Sequence, residues 1–350
     1  MTAGDVDFDL LARLTDAPGP AGFEDRVREV VSDELPDVDH VRTDALGNLV
    51  ATVEGAENPE YEVLVAAHMD EIGLVVTDVD DDGFLSVASL GGWNPDALRG
   101  HPVTVHTDDG DYDAVVGINA AHTAAEEAPD KWTLDDAHVF TGLDPEDAEE
   151  AFSVGDIVTF DSDLREMGEC VTGSSLDDRA GVYVLLEAAR RANPNMTVHY
   201  AATVQEEVGL RGAQALGVDI DPDLVVALDG TLEQSYPGVA PGNAISKLGD
   251  GVGIKRKDAT VITTPAVTER FESVAEENDV PYQREVSWNI GTDTGGLQNT
   301  GGARPVGALS IPVRYHHSAI ETADTRDIAA AVDLLTGFLD TETGDGYRPA

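Results

Sequence analysis

The chain has 350 residues and carries 68 acidic against 21 basic side chains, a formal net charge of −47. Nucleic acid phosphates and anionic lipid both need clustered Lys and Arg, so this balance excludes nucleic acid and membrane as partners. Hydrophobic residues still make up 41% of the chain, which supports a core and argues against disorder.

In chain order, "FDLLARLTDAPGPAGFEDRVREVVSDEL" predicts two short amphipathic helices split by a Pro/Gly turn. "GNLVATVEG" and "YEVLVAAHMD" then read as strands, the second apolar until its polar end. From about Glu71 to Asp163 the pattern changes to short alternating runs such as "PVTVHT", "YDAVVGI" and "GDIVTFD", with a polar loop at 120–137. That pattern predicts a small antiparallel β-domain inserted in another domain. Alternation of helix and strand then resumes: the helix "LDDRAGVYVLLEAARRA", the strand "MTVHYAATV", the strand "DLVVALD", a helix near "TPAVTERFESVAEEN", the strand "RPVGALSIP" and a last helix "DTRDIAAAVDLLTGFL". The expected fold is α/β with a largely parallel central sheet.

The ends of the apolar strands carry the chemistry. His68 and Asp70 follow "YEVLVAA", Glu206 and Glu207 follow "MTVHYAATV", "DLVVAL" delivers Asp229, and "GALSIPVRY" delivers His316 and His317. In open α/β sheets the crevice beyond the carboxyl ends of the strands is where ligands bind. Asp177, at the start of the helix "LDDRAGVYVLLE", can join that edge. Each of these residues alone has a plain structural explanation as a cap, a turn former or a core histidine. Together they form a carboxylate cluster that repels itself unless cations sit within it. With a single cysteine, Cys170, in the chain, any metal must be held by His, Asp and Glu. Two divalent ions sharing one bridging carboxylate would use five such ligands and leave one glutamate free as a base. Imidazole with carboxylate suits zinc, with cobalt as the alternative, better than magnesium or calcium. This is the apparatus of peptide hydrolysis.

The ordered set "AAHMDEIGLVV", "SSLDDRAGVYVLLE", "VQEEVGLRGA", "VVALDG" and "IPVRYHHSAIE" resembles the dinuclear aminopeptidases of the tetrahedral, or TET, family related to glutamyl aminopeptidase. "PGPAGFE", "DALGNLVA" and "FSVGDIVTF" extend the resemblance over nearly the whole chain. It implies a zinc-exopeptidase-like catalytic domain, a mixed but mainly parallel sheet with flanking helices, formed by residues 1–71 and 164–350. Residues 72–163 would form an inserted PDZ-like antiparallel β-barrel serving oligomerisation and access. It further implies that His68, Asp177 and Asp229 bind one metal and Asp177, Glu207 and His317 the other, with Asp177 as the bridge. His317 is preferred to His316 because it directly precedes Ser318, and the peptide between Asp177 and Asp178 is expected to be cis. Asp70 would hold the His68 imidazole. Glu206 would be the general base in attack by a metal-bound water on the N-terminal peptide bond of short peptides.

By the same resemblance, the stretch "NIGTDTGGL", with Asp293 and Gly295, would line the substrate pocket. Twelve subunits would assemble, from dimers, into a tetrahedral shell. The chain departs from relatives at "INAAHTA", and the His122 loop receives no role. The insert directly after His68 favours an aminopeptidase over a carboxypeptidase or amide deacylase of the same clan, and ligand and base positions argue against a non-catalytic peptide-binding scaffold. Glycoside hydrolysis by Glu206 and Glu207 is disfavoured, since adjacent residues hardly flank a bond with carboxyls about 5 Å or more apart. "MTAGDVDFDL" lacks a basic region and an apolar run, so a cytoplasmic location is expected. The anionic surface points to a halophile, because at molar salt the Debye length falls to about 3 Å.

Overall fold

The computed structural model describes residues 6–118, 122, 132–239, 245–288, 290–344 and 346–347. Most of the polar loop expected at 120–137 lies outside the described residues; its described end holds a short 3-10 turn at Leu134–Asp136.

Among the described residues an 11-stranded mixed sheet forms the centre. Its principal order is His40–Thr43, Leu49–Val53, Met196–Thr203, Asn58–His68, Leu224–Leu232, Val306–Arg314, Glu321–Asp324, Cys170–Gly173 and Arg165–Met167. Val252–Lys257 pairs off Val306–Arg314, and Tyr282–Val286 pairs with it. The four strands Met196–Thr203, Asn58–His68, Leu224–Leu232 and Val306–Arg314 run parallel in the middle, with antiparallel strands at the flanks. The helices, among them Leu176–Arg191, Pro265–Glu277 and Thr325–Thr341, connect and cover these strands, as the sequence predicts.

The unbroken apolar run of Asn58–His68 follows from burial on both faces. Val63, Val65 and Ala67 face one core with Tyr183, Leu186 and Phe338 from the helices. Leu64 and Ala66, pointing the other way, join Ala213, Leu216 and Leu297. Helix Arg211–Asp219, which supplies two of these, begins directly after Gly209 and Leu210, so the turn expected after the two glutamates is short.

Strands Gly73–Val79, Leu85–Leu90, His138–Phe140, Gly110–Val116, Pro102–Thr107 and Ile157–Phe160 close into an antiparallel six-stranded barrel. The barrel has its own core of Leu74, Val76, Leu85, Val103, Val105 and Val139, among others. Alternation along these strands is therefore weaker evidence of a solvent face than of a barrel interior. Arg26 on helix Asp25–Glu34 ties the barrel back, donating to both carboxylate oxygens of Asp111 at 2.7 and 2.8 Å.

Candidate active site

Register decides which residues meet. In the parallel ladder Thr203 pairs with His68 and Ala227 with Ala66, so Asp229, within strand Leu224–Leu232, comes level with His68, and Glu206 follows just past the end of the strand on its other side. Helix Leu176–Arg191 brings Asp177 to the same edge on an extended elbow (φ −86°, ψ 110°) before regular helix starts, and the Asp177–Asp178 peptide is cis. Gly230 permits this approach: a Cβ there would lie 2.6 Å from Asp177 Oδ1. Non-glycine residues with positive φ gather around the cluster, at Ser175, Gln205, Tyr315 and His317, a concentration typical of functional sites.

The side chains form two overlapping groups. Asp177 Oδ1 lies 3.6 Å from His68 Nε2, and Asp229 Oδ1 lies 3.9 Å from the same nitrogen. Asp177 Oδ2 lies 3.4 Å from His317 Nε2, which is 3.3 Å from Glu207 Oε1. His316 also reaches this side, with Nε2 2.8 Å from Asp177 Oδ2, and stacks on His317 with ring centroids 4.5 Å apart. One ligand atom each from His68, Asp177 and Asp229 lie within 4.8 Å of one another, as do those of Asp177, His316 and His317 and those of His68, Glu206 and Glu207.

Both His68 and His317 are oriented through Nδ1, which leaves Nε2 free toward the carboxylates. His68 Nδ1 meets the Asp70 carbonyl at 3.0 Å, and His317 Nδ1 meets the Gly92 carbonyl at 2.5 Å. Such second contacts fix tautomer and ring plane in metal-ligating histidines. Gly92 belongs to the segment that follows barrel strand Leu85–Leu90, so the connection leaving that strand touches the cluster. Its neighbour Gly91 has φ +92°, and a Cβ there would lie 3.2 Å from Glu207 Cβ, which explains glycine at a close approach.

The electrostatics call for cations. Burial pushes Asp229 and Glu206 well above the ordinary carboxylate range, with Asp177 adding to the rise at Asp229 and Glu207 to that at Glu206. Burial also opposes the charge on Asp177, but His316, His317 and His68 outweigh it and hold that carboxyl well below. His317, despite burial, is pushed up to about 12 by Asp177 and Glu207. Asp177 Oδ1 and Asp229 Oδ2 are buried without a hydrogen-bond donor among the described residues, a cost that metal coordination removes. The donor set of imidazole and carboxylate fits a borderline divalent ion such as zinc.

The geometry adds detail at three of the expected site residues. The Asp70 carboxylate, 3.6 Å from His68 Nδ1, does not make the orienting hydrogen bond; the Asp70 carbonyl does. The carboxylate instead accepts the backbone N–H groups of Glu206 at 2.9 Å and Glu207 at 3.1 Å, fixing the turn that presents them. Asp293 is 1% exposed and accepts a 2.5 Å hydrogen bond from Thr203. Burial raises its carboxyl to about 6. Gly295 lies against Thr260, where a Cβ would come 2.6 Å from the Thr260 Cβ, and it lines an open cleft with Arg211, Gln214 and Gly296. A cleft of about 290 Å³ does adjoin His316 and His317, lined by Leu232, Gln234, Tyr236, Val313 and Tyr315 among others. Its residues carry no sequence signal beyond following Asp229 and preceding the histidines.

The family profile of M42 glutamyl aminopeptidases matches residues 47–334. The chain belongs to the M42 glutamyl aminopeptidase family. A putative aminopeptidase of Acetivibrio thermocellus is 37% identical over 94% of this chain and 97% of its own length. The solved structure of an aminopeptidase from the archaeon Desulfurococcus kamchatkensis superposes with a TM-score of 0.91 at 35% identity, covering 96% of this chain and 95% of that one. The TET1 peptidase of Pyrococcus horikoshii, described as assembling into a tetrahedron or a large octahedral shell, superposes with a TM-score of 0.86 at 31% identity over 95% of this chain and 99% of that one. As an M42 member the chain is a metal-dependent aminopeptidase, a hydrolase of peptide bonds.

Proposed function

We propose that the cluster is a dinuclear centre for removing N-terminal residues from short peptides, with His68, Asp177 and Asp229 holding one divalent ion and Asp177, Glu207 and His317 the other. The observation that carries this reading is the orientation of Asp177, whose Oδ1 turns to His68 while Oδ2 turns to His317. A carboxylate so placed is the shared ligand of a two-ion site. His317 is assigned over His316 because its Nδ1 is engaged by Gly92 and its Nε2 meets both Asp177 and Glu207. Zinc, or alternatively cobalt, would polarise the scissile carbonyl and acidify water there.

Glu206 is the general base. It stands beside the cluster without an assigned ion, its backbone N–H anchored by Asp70. Its raised proton affinity, caused by burial and then by Glu207, suits a carboxylate that takes a proton from water and returns it to the leaving amine. The cleft beside His317 accommodates the side chain of the residue removed. The TET1 peptidase's shells support a comparable assembly of dimers into a dodecamer for this chain, in which residues 72–163 act as the oligomerisation and access domain around a catalytic domain of residues 1–71 and 164–350. No helix among the described residues is long and apolar enough to cross a membrane, and the charge balance supports a cytoplasmic, high-salt setting.

Hydrolysis of a free-amine peptide and of its N-acetylated counterpart, before and after strong chelation, tests the reading. The free-amine peptide should be cleaved, the acetylated one spared, and chelation should abolish turnover until zinc or cobalt is restored. Equal cleavage of both peptides refutes aminopeptidase action; turnover indifferent to chelation refutes the metal centre.

A further inference from the structure

We infer that Glu321 is a positioning residue that sets the half of the centre formed by Asp177, Glu207 and His317. This rests on the dinuclear reading above. The Glu321 carboxylate is 2% exposed. One oxygen accepts the backbone N–H of His317 at 2.7 Å, and the other accepts that of Asp177 at 3.0 Å. Among the described residues it forms no ion pair with Lys or Arg, so these backbone donors are its principal partners.

A buried carboxylate is costly unless it is hydrogen-bonded, and losing either bond leaves a buried group without a partner. Here they join two segments far apart in sequence, the elbow at the start of helix Leu176–Arg191 and the turn after strand Val306–Arg314. Both segments are hard to hold by regular structure. His317 has φ +58°, and Asp177 is extended (φ −86°, ψ 110°) where regular helix has not yet begun. Glu321 is itself fixed by strand pairing, opposite Gly173, three residues upstream of Leu176. The clamp therefore references Asp177 and His317 to one rigid strand, which keeps Nε2 of His317 between Asp177 and Glu207.

Asp70 does the same for the other pair, accepting the N–H groups of Glu206 and Glu207. Two carboxylates that ligate nothing thus orient four residues of the centre through the main chain. The difference between them is what each controls: Asp70 sets the base and one ligand on the same turn, whereas Glu321 fixes the distance between two ligands on separate elements.

The test is E321Q in the full-length protein, loaded with zinc and titrated with a chelator while zinc per subunit is measured. An amide offers one acceptor oxygen, so one of the two N–H groups loses its partner. Partners of this kind are worth about 10–100-fold in metal affinity. One zinc of E321Q should leave at chelator about 10–100-fold lower than in the wild type, and the other, which shares only Asp177 among the clamped residues, should be weakened less. Turnover should recover on adding zinc with KM unchanged, a recovery that a general loosening of the fold would not produce. Wild-type retention of both ions in E321Q, or equal weakening of both, overturns the clamp. A wild-type protein holding fewer than two zinc ions overturns the dinuclear reading, and the clamp with it. Should E321Q fail to fold, E321D carries the same measurement, because the shorter side chain cannot keep both acceptors in place.

Discussion

At the residue scale the acidic pair Glu206–Glu207 divides its work because neighbouring side chains leave a strand end in different directions. Glu207 turns to His317, 3.3 Å away. Glu206 is assigned the proton. E206Q keeps the shape and removes the base, so kcat should fall about 10²–10⁴-fold while zinc content stays at the wild-type level; undiminished turnover would transfer the role to another group. A second buried carboxylate network lies on strands Val252–Lys257, Tyr282–Val286 and Leu224–Leu232 of the sheet. Lys255 is fully buried, with Nζ 2.8 Å from Glu285 and 3.9 Å from Asp258, while Thr231 donates to Glu285 at 2.9 Å. K255M leaves Glu285 and Asp258 buried without their cation, and should cost about 3–5 kcal/mol, read as a lower urea midpoint. Pairing it with E285Q should recover part of that loss, since the uncompensated charge is then gone; no recovery would mean that packing of the lysine stem is what matters.

At the scale of elements, close approach is what turns strand ends into a site. Gly230 follows Asp229 in strand Leu224–Leu232, and its missing Cβ is the space that Asp177 occupies. G230A forces the Asp177 carboxylate away from its place, and overpacking of this kind costs about 1–3 kcal/mol; zinc affinity should fall alongside, measured by chelator competition. Unchanged affinity would show that the elbow at Asp177 yields without loss. Elements with a strong period were legible in the sequence: helix Leu176–Arg191 from its 3.6-residue pattern, and the four parallel strands from apolar runs that end in polar residues. The metal-type residues were legible because burial makes a carboxylate at an apolar strand end informative, even in a chain this acidic. What stayed hidden depends on long-range contact. Glu321 appears in sequence only as an acid four residues after His317, and Gly92 only as half of a glycine pair; neither shows that it meets the cluster. Strands Arg165–Met167, Cys170–Gly173 and Glu321–Asp324 have 3 or 4 residues each, too few to display a period. Asp293 and Gly295 were placed in the pocket by resemblance alone, and their contacts with Thr203 and Thr260 could not be read from spacing.

For the whole molecule, charge sets the conditions under which fold and assembly persist. Even if each of the 21 basic side chains neutralised one acid, 47 of the 68 acidic ones would remain without a basic partner. Exposed pairs such as Arg26–Asp111 contribute at most about 1 kcal/mol each and weaken with salt. Repulsion among the unpaired acids weakens with salt as well. The second effect should dominate, because unpaired acids outnumber the possible pairs about two to one. The thermal midpoint should therefore rise as KCl goes from 0.1 to 1 M, where the Debye length shrinks from about 10 to about 3 Å. Beyond that concentration little repulsion is left to screen, so the curve should flatten. A gain due to exclusion of salt from the protein surface would instead keep growing at higher concentration, and a midpoint that falls would mean that the ion pairs outweigh the repulsion. Assembly should follow the same curve, since each subunit brings its −47 to every contact. Sedimentation should report large particles in molar KCl and smaller ones in dilute buffer. Particles of monomer or dimer size at both concentrations would refute the proposed shell.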